Sequence, residues 1–312
     1  MGGKATRQSF GEAVAALAET NPNIVVMDAD LGKSTMTGTF QKKFPERYFE
    51  FGIAEQNMIS TAAGMAMGGK VPFAASFACF LVNRFETVRM SVSYSNTNVK
   101  LVGTHAGVGI GEDGNSQMGL EDIALLRPLP NFTILQPADD LEARQAVAWS
   151  AEHKGPVYLR LTRQKLEDLH GADYKFRVGK GDVLKAAKGT ADVTIFATGG
   201  VVYNALKAVE ELEKEGLAVN LVNIHTLKPL DKELILSLAG SSKMILTIED
   251  HNIVGGLGSA VSETVAEAGF PVKVRRHGVE GFGESGSPAE LYEKFGFSPS
   301  KIKELIKTLV KK

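Results

Sequence analysis

Two periods of apolar and polar positions run along this chain. Asn23-Ile-Val-Val-Met-Asp-Ala-Asp30 is a short apolar run, and it follows a helix-periodic stretch from about Phe10 to Thr20. Ser9 and Glu12 have the spacing of a capping box at the start of that helix. The pattern predicts further strands at Arg47–Ile53, Val71–Ala75, Val99–Thr104, Phe132–Gln136 and Val157–Thr162. Helices are predicted at Gln56–Met67, Phe80–Tyr94, Gly119–Arg127 and Asp139–Glu152. Short β-rich runs separated by helices imply a parallel sheet covered on both faces. From about Arg163 to Thr190 the pattern dissolves into charged and Gly-rich sequence, with a short strand near Tyr174–Val178. A second α/β series then begins with the strand Asp192–Thr198 and the helix Val202–Glu215. Strands Val219–Ile224 and Lys243–Ile248, helix Gly258–Ala268, strand Val272–Arg276 and helices near Pro288–Phe295 and Pro299–Val310 complete it. The expectation is an α/β chain of two doubly wound domains with mainly parallel sheets, residues 1–165 and 191–312, joined by a linker at 166–190.

Composition narrows this picture. A length of 312 residues suits two domains. A net charge of −1 with scattered basic residues argues against a nucleic-acid partner. Cys79 is the one cysteine, so no intrachain disulfide can form, and its apolar surroundings read as core. The N-terminal Met1–Arg7 has no apolar h-region, and no stretch approaches the ~20 apolar residues of a membrane helix. A cytoplasmic protein with no membrane partner is therefore expected.

The most informative residue is Glu55, in Phe51-Gly-Ile-Ala-Glu-Gln-Asn-Met58. It falls where a strand hands over to an Ala-, Gly- and Met-rich helix. That is the carboxyl end of the sheet, where open α/β folds build ligand sites. Apolar neighbours disfavour its charged form. It also reads as a helix N-terminal acid complementing the macrodipole.

Other polar groups gather at strand ends. Asp28 and Asp30 close the first strand, but their spacing points them to opposite faces, against a joint metal site. Arg7, Ser34, His105 and Arg163 each lie at a sheet edge and could converge on an anion, for which Arg has the matching planar fork. Phe77 and Phe80 read either as core or as ring faces for an aromatic ligand. The loop Gly111-Glu-Asp-Gly-Asn-Ser-Gln117 carries a turn signal and lacks both the EF-hand ligand ladder and the P-loop Lys.

Taken together, these residues resemble the C-terminal half of a transketolase over essentially the whole chain. The matching strings are Ala5-Thr-Arg7, Asp28-Ala-Asp-Leu31, Ile53-Ala-Glu-Gln-Asn-Met58, Ser76-Phe-Ala-Cys-Phe80, Gly103-Thr-His105, Gly111-Glu-Asp-Gly114 with Ser116-Gln-Met118, and Thr162-Arg-Gln164. Lys228-Pro-Leu-Asp231 and Glu249-Asp-His251 extend the resemblance. In that family a diphosphate-binding domain, a pyrimidine-binding domain and a C-terminal domain follow one another. This chain resembles the second and third, and the Gly-Asp-Gly…Asn metal motif of the first is absent. The resemblance therefore implies a separate N-terminal subunit, in an α2β2 assembly, holding the diphosphate of thiamine diphosphate and its Mg2+ or Ca2+. No metal ligand is expected on this chain.

The resemblance also implies roles. Glu55 is matched to the residue that holds the cofactor's pyrimidine nitrogen N1′, with Phe80, Phe77, Asp30 and Ile53 at the cofactor. Arg7, Ser34, His105 and Arg163 match sugar-phosphate ligands. Asp113 matches a reader of a substrate hydroxyl, and Gln117 stands where one branch of the family has His. Asn83 departs from the family pattern, with Arg84 beside it. The implied reaction is transfer of a two-carbon ketol unit from a ketose phosphate to an aldose phosphate. A 1-deoxyxylulose 5-phosphate synthase-like enzyme, a 2-oxo acid dehydrogenase β-like subunit and a non-catalytic binding module are the rival readings. His251 reads as structural.

Overall fold

The structure, a computed structural model, describes residues 3–311. Met1 and Gly2, where the leader-free N-terminus was expected to begin, and Lys312 lie outside the described residues.

Six parallel strands build the N-terminal sheet: β1 (Ile24–Asp28), β2 (Tyr48–Glu50), β3 (Val71–Phe77), β4 (Lys100–Thr104), β5 (Thr133–Leu135) and β6 (Val157–Arg160). All five residues of β1 are buried because helices cover both faces of the sheet. Ile24 and Val26 pack with Phe10, Val14 and Val147 on one face. Val25 and Met27 pack with Met58, Ile59 and Ala62 on the other. The strand's period of two thus feeds two cores at once.

The C-terminal sheet contains β7 (Asp182–Lys185), β8 (Val193–Thr198), β9 (Val219–Asn223), β11 (Met244–Asn252) and β12 (Lys273–Val279), in the order β12-β11-β8-β9-β7. Only β7 runs antiparallel. Between β9 and β11 the chain leaves this sheet. The short strand β10 (Thr226–Lys228) pairs antiparallel with β5 and becomes the edge of the N-terminal sheet, whose order is β10-β5-β6-β4-β3-β1-β2. Lys228 Nζ fixes the crossing by donating to the carbonyls of Arg127 and Leu129, at 2.7 and 2.5 Å. The two sheets share one apolar core, in which Phe196, Val222 and Leu257 join Val25 and Met58. The α/β architecture with mainly parallel sheets is as expected from the sequence. The β10 crossing was not expected, because three residues carry no period.

Three local expectations fail for identifiable reasons. Helix Thr6–Leu17 starts three residues before the expected cap, so Ser9 is interior and its hydroxyl donates back to the Ala5 carbonyl at 3.3 Å. Glu12 is drawn instead to Lys4 and Arg144. The helix expected at 80–94 breaks into Ala78–Val82, Phe85–Thr87 and a π-helical Val88–Tyr94. The strand expected at 174–178 does not form, because Gln145 takes the backbone groups it would have paired. Its amide accepts from Phe176 N at 2.8 Å and donates to the Tyr174 carbonyl at 3.0 Å.

The segment joining the sheets is fastened by His170. Its Nδ1 lies 2.8 Å from Asp139 Oδ2 and its Nε2 lies 3.0 Å from Asp182 Oδ2. Burial opposes the imidazolium, but the two carboxylates outweigh it and bring the pKa up to about 10. Among the described residues, no helix is long and apolar enough to cross a membrane.

A group whose pKa rises on folding stabilises the fold fully below its unfolded value, ~6.5 for His, and loses that contribution as pH climbs through the folded value. Urea unfolding of the full chain should therefore show stability falling as pH rises from about 7 through about 10. The His170→Gln variant should be less stable at pH 7 and should show a flatter profile over the same interval.

Candidate active site

Glu55 opens helix Glu55–Met67 and is 3% exposed, withdrawn from water at the N-terminus of a 13-residue helix. Two polar groups flank its carboxylate: Ser76 Oγ at 3.4 Å from Oε1, and the Arg84 guanidinium at 3.9 Å from Oε2. Its setting is thus more polar than its sequence neighbours suggest. Arg84 reaches it because the helix break at Asn83 and Arg84 turns the chain there. A cleft of about 470 Å3 opens onto this carboxylate, lined by Ile53, Asn57, Ser60 and Arg84 among others. Ile53 stands at its lip, 84% exposed.

A second cluster lies at the carboxyl ends of β3 and β4. His105 follows β4 with φ +59 and is buried. Its ring stacks on Phe77 at 3.7 Å between centroids, and Phe77 stacks on Phe80 at 5.4 Å. Arg7 NH1 lies 3.2 Å from His105 Nε2 and donates to the Ser34 carbonyl at 2.6 Å. Guanidinium can only donate, so Nε2 is the acceptor and the proton sits on Nδ1, 2.8 Å from Thr104 Oγ1. Thr104 in turn donates to the Ser76 carbonyl at 3.4 Å, so hydrogen bonds connect this cluster to the Ser76 that flanks Glu55.

The electrostatics fix the protonation of His105. Burial first, then the positive charges of Arg7 and Arg163, push its pKa down to about 3. Burial and Arg163 also lower the pKa of Arg7, while Asp113 opposes them. Two cations are thus held close enough to feel one another. Arg163 NH1 is tied to the Ile110 carbonyl at 2.6 Å and Glu112 Oε2 at 3.0 Å. Arg7 Nε is buried without a hydrogen-bond partner.

The sequence-derived candidates are therefore unequally assembled. Arg7, Ser34, His105, Phe77 and Phe80 are in direct contact, and Arg163 and Asp113 act on that cluster through charge. Gln117 is half-buried, and its carbonyl accepts from Cys79 Sγ at 3.2 Å. Asp30 is exposed at φ +64, in a neighbouring cleft with Lys33, Ser34 and Glu50. Its backbone N–H donates to Glu50 Oε1 at 2.7 Å, and the same oxygen receives Gly52 N at 2.9 Å. Ser76 and Thr104 were not read from the sequence as site residues, and nothing but their strand-end positions marks them. Among the described residues no group of three or more His, Cys, Asp or Glu side chains is arranged to hold a metal.

Comparison with known proteins shows the family. The transketolase pyrimidine binding domain family matches residues 3–168, and the transketolase C-terminal domain family matches residues 179–302. The chain belongs to the transketolase family. A protein of Methanocaldococcus jannaschii, described provisionally as a transketolase C-terminal section, is 42% identical over 99% of this chain and 97% of its own length. A 6-deoxy-6-sulfo-D-fructose transketolase subunit of Clostridium sp. (strain MSTE9) is 38% identical over 95% of this chain and 91% of its own length. A solved structure described as a split-gene transketolase, in an inactive β4 tetramer, superposes with a TM-score of 0.90 at 42% identity, covering 99% of each chain. The chain spans about half, 49%, of the length of the mammalian transketolases it also matches.

The buried tautomer gives a direct test. In the full chain, ring nitrogen shifts of His105 should stay those of the neutral Nδ1–H form from pH 8 down to pH ~4.5, well above its own titration. Arg7→Gln removes one of the opposing charges and should move that titration upward.

Proposed function

We propose that this chain is the C-terminal subunit of a split transketolase. It pairs with a separate N-terminal subunit carrying the diphosphate-binding domain, in an α2β2 assembly. The pair transfers a two-carbon ketol unit from a ketose phosphate to an aldose phosphate, as in pentose phosphate interconversion. The observation that carries this reading is the placement of Glu55: a buried carboxylate facing a cleft, joined through Ser76 to a basic, aromatic cluster.

The residues present fit an aminopyrimidine. Glu55 has only long contacts to Ser76 and Arg84, at 3.4 and 3.9 Å, so its carboxyl keeps capacity for a further hydrogen bond. The Phe77–Phe80 stack offers a ring face, since Phe80 is only half-buried. Thiamine diphosphate, held also by the partner's Mg2+ or Ca2+, would supply the electron sink for breaking the bond between two sugar carbons. Glu55 would hold the pyrimidine nitrogen N1′ by a hydrogen bond from its carboxyl. Phe77 and Phe80 pack the ring, while Asp30 and Ile53 flank the face the partner covers. Arg7, Ser34, His105 and Arg163 bind the anionic end of the sugar. Asp113 orients a hydroxyl, and Gln117 hydrogen-bonds without shuttling a proton.

The sulfofructose relative bears on the anionic end. A sulfonate and a phosphate present the same oxygen fork to Arg7 and Arg163, so substrates of both classes belong in the assay.

Mixing this chain with its N-terminal subunit, thiamine diphosphate and Mg2+ should give ketol transfer from xylulose 5-phosphate, whereas the chain alone should give none. Full turnover by the chain alone would falsify the split-subunit reading, and preference for pyruvate as donor would favour the synthase class. Glu55→Ala should lower kcat by about 10²–10⁴. Arg163→Ala should raise KM for phosphorylated sugars and spare unphosphorylated ones, and equal losses on both would exclude an anion-binding role.

A further inference from the structure

Buried charges that the reaction does not use lie at the seam between the two sheets. The C-terminal end of β11 carries Glu249, Asp250 and His251, all buried. Asp250 turns its carboxylate away from its own sheet and toward the loop that carries Asp113 and Gln117. Oδ1 accepts from Val108 N at 2.7 Å, and Oδ2 accepts from Gly109 N at 3.3 Å and from Tyr292 OH at 3.0 Å. Tyr292 OH accepts in turn from Gln164 Nε2 at 2.9 Å, and Gln164 is the residue next to Arg163. The approach is close at two glycines, and at Gly107 the backbone conformation also favours glycine. A Cβ on Gly107, at φ +84, would sit 2.3 Å from Asp250 Oδ2, and one on Gly109 would sit 2.1 Å from Gln164 Nε2.

The same end of β11 holds the exit of that loop. Arg160 NH2 donates to the Gly119 carbonyl at 2.8 Å and to the Asp250 carbonyl at 3.0 Å, while Asn252 N donates to the Leu120 carbonyl at 2.8 Å. The middle is touched from the segment after β12, where Gly283 N donates to Asn115 Oδ1 at 2.7 Å. Between these anchors the loop leaves Glu112 and Asp113 exposed, and the Ile110 carbonyl and Glu112 fasten Arg163.

We propose that Asp250 and Tyr292 are positioning residues: the C-terminal sheet fixes the loop 107–119 and, through Gln164, the backbone beside Arg163, so that Asp113, Gln117 and Arg163 meet the sugar in one geometry. This deepens the transketolase reading and rests on it. Fixing groups in place before substrate arrives is worth a great deal in such a site, because a 1 Å misplacement can cost about 10²-fold in rate.

The test uses Tyr292→Phe, which removes the shared hydroxyl and keeps the ring, and Asp250→Asn, which removes the charge and keeps the shape. In the assembled two-subunit enzyme each should lower kcat/KM for xylulose 5-phosphate about tenfold or more, the scale of losing hydrogen bonds to a charged group. Half-saturation by thiamine diphosphate should not change. In the full chain alone, hydrogen exchange should quicken at residues 107–119 and stay slow in β1, β3 and β4. Unchanged kcat/KM in both variants would overturn the proposal. So would faster exchange throughout the chain with a parallel loss of cofactor binding, since that marks a merely structural role. If the wild-type assembly gave no ketol transfer, the functional reading would fall. The exchange comparison would still decide whether the C-terminal sheet orders the loop.

Discussion

The seam between the two sheets depends on a guanidinium withdrawn from water. Arg160, at the end of β6, is 2% exposed, and Asp122, its partner through Nε at 2.8 Å, is 0% exposed. Burying two charges costs several kcal/mol each, and their attraction offsets this only if the remaining donors and acceptors are filled. Here most are. Tyr158 OH donates to the same Asp122 oxygen at 2.7 Å, and the second Arg160 nitrogen takes two carbonyls, one from each half of the chain. Asp122 Oδ1 is buried without a hydrogen bond, and it faces His251 Nε2 at 3.8 Å. Burial, ahead of the opposing Asp122 charge, pushes His251 down to about 4, so that histidine stays neutral. Removing either member of the ion pair leaves the other bare, at a cost of about 3–5 kcal/mol. The pair therefore sets where the two halves sit more than it adds to their stability.

This arrangement explains which features the sequence disclosed. β1, β3 and β4 were legible because both faces are covered, and the apolar run is then uninterrupted. The strand-end position of His105 followed from the β4 run, and those of Glu55 and Arg163 from the runs at β2 and β6. β10 and the break at Asn83 were not legible, since both are imposed by tertiary partners: Lys228 reaching two carbonyls, and the chain turning Arg84 toward Glu55. The capping box misled because Ser9 and Glu12 have the right spacing one turn too late. Glu249-Asp-His251 was visible as a string, but its meaning lies in partners more than 100 residues away, which no local pattern encodes.

The setting of Glu55 shows the same limit. Its neighbours in sequence are apolar, yet Ser76 from β3 and Arg84 from the broken helix stand beside it. A carboxyl among purely apolar groups would be held by desolvation alone. One flanked by a hydroxyl and a half-exposed guanidinium responds also to whatever displaces them. On the proposed function, a partner subunit covering the cleft would remove water from Arg84 and Glu55 together.

The basic cluster carries the complementary constraint. Burial first, then the positive charge of Arg163, pushes the pKa of Arg7 down. The fold tolerates this because each guanidinium is anchored to a carbonyl, Ser34 for Arg7 and Ile110 for Arg163, and because His105 beside Arg7 stays neutral. On the proposed function, a bound dianion would offset the repulsion between the two cations and so favour the folded cluster. Two cations fixed near each other by backbone acceptors are a costly way to build a stable surface. On the proposed function, they would bind the anionic end of a sugar.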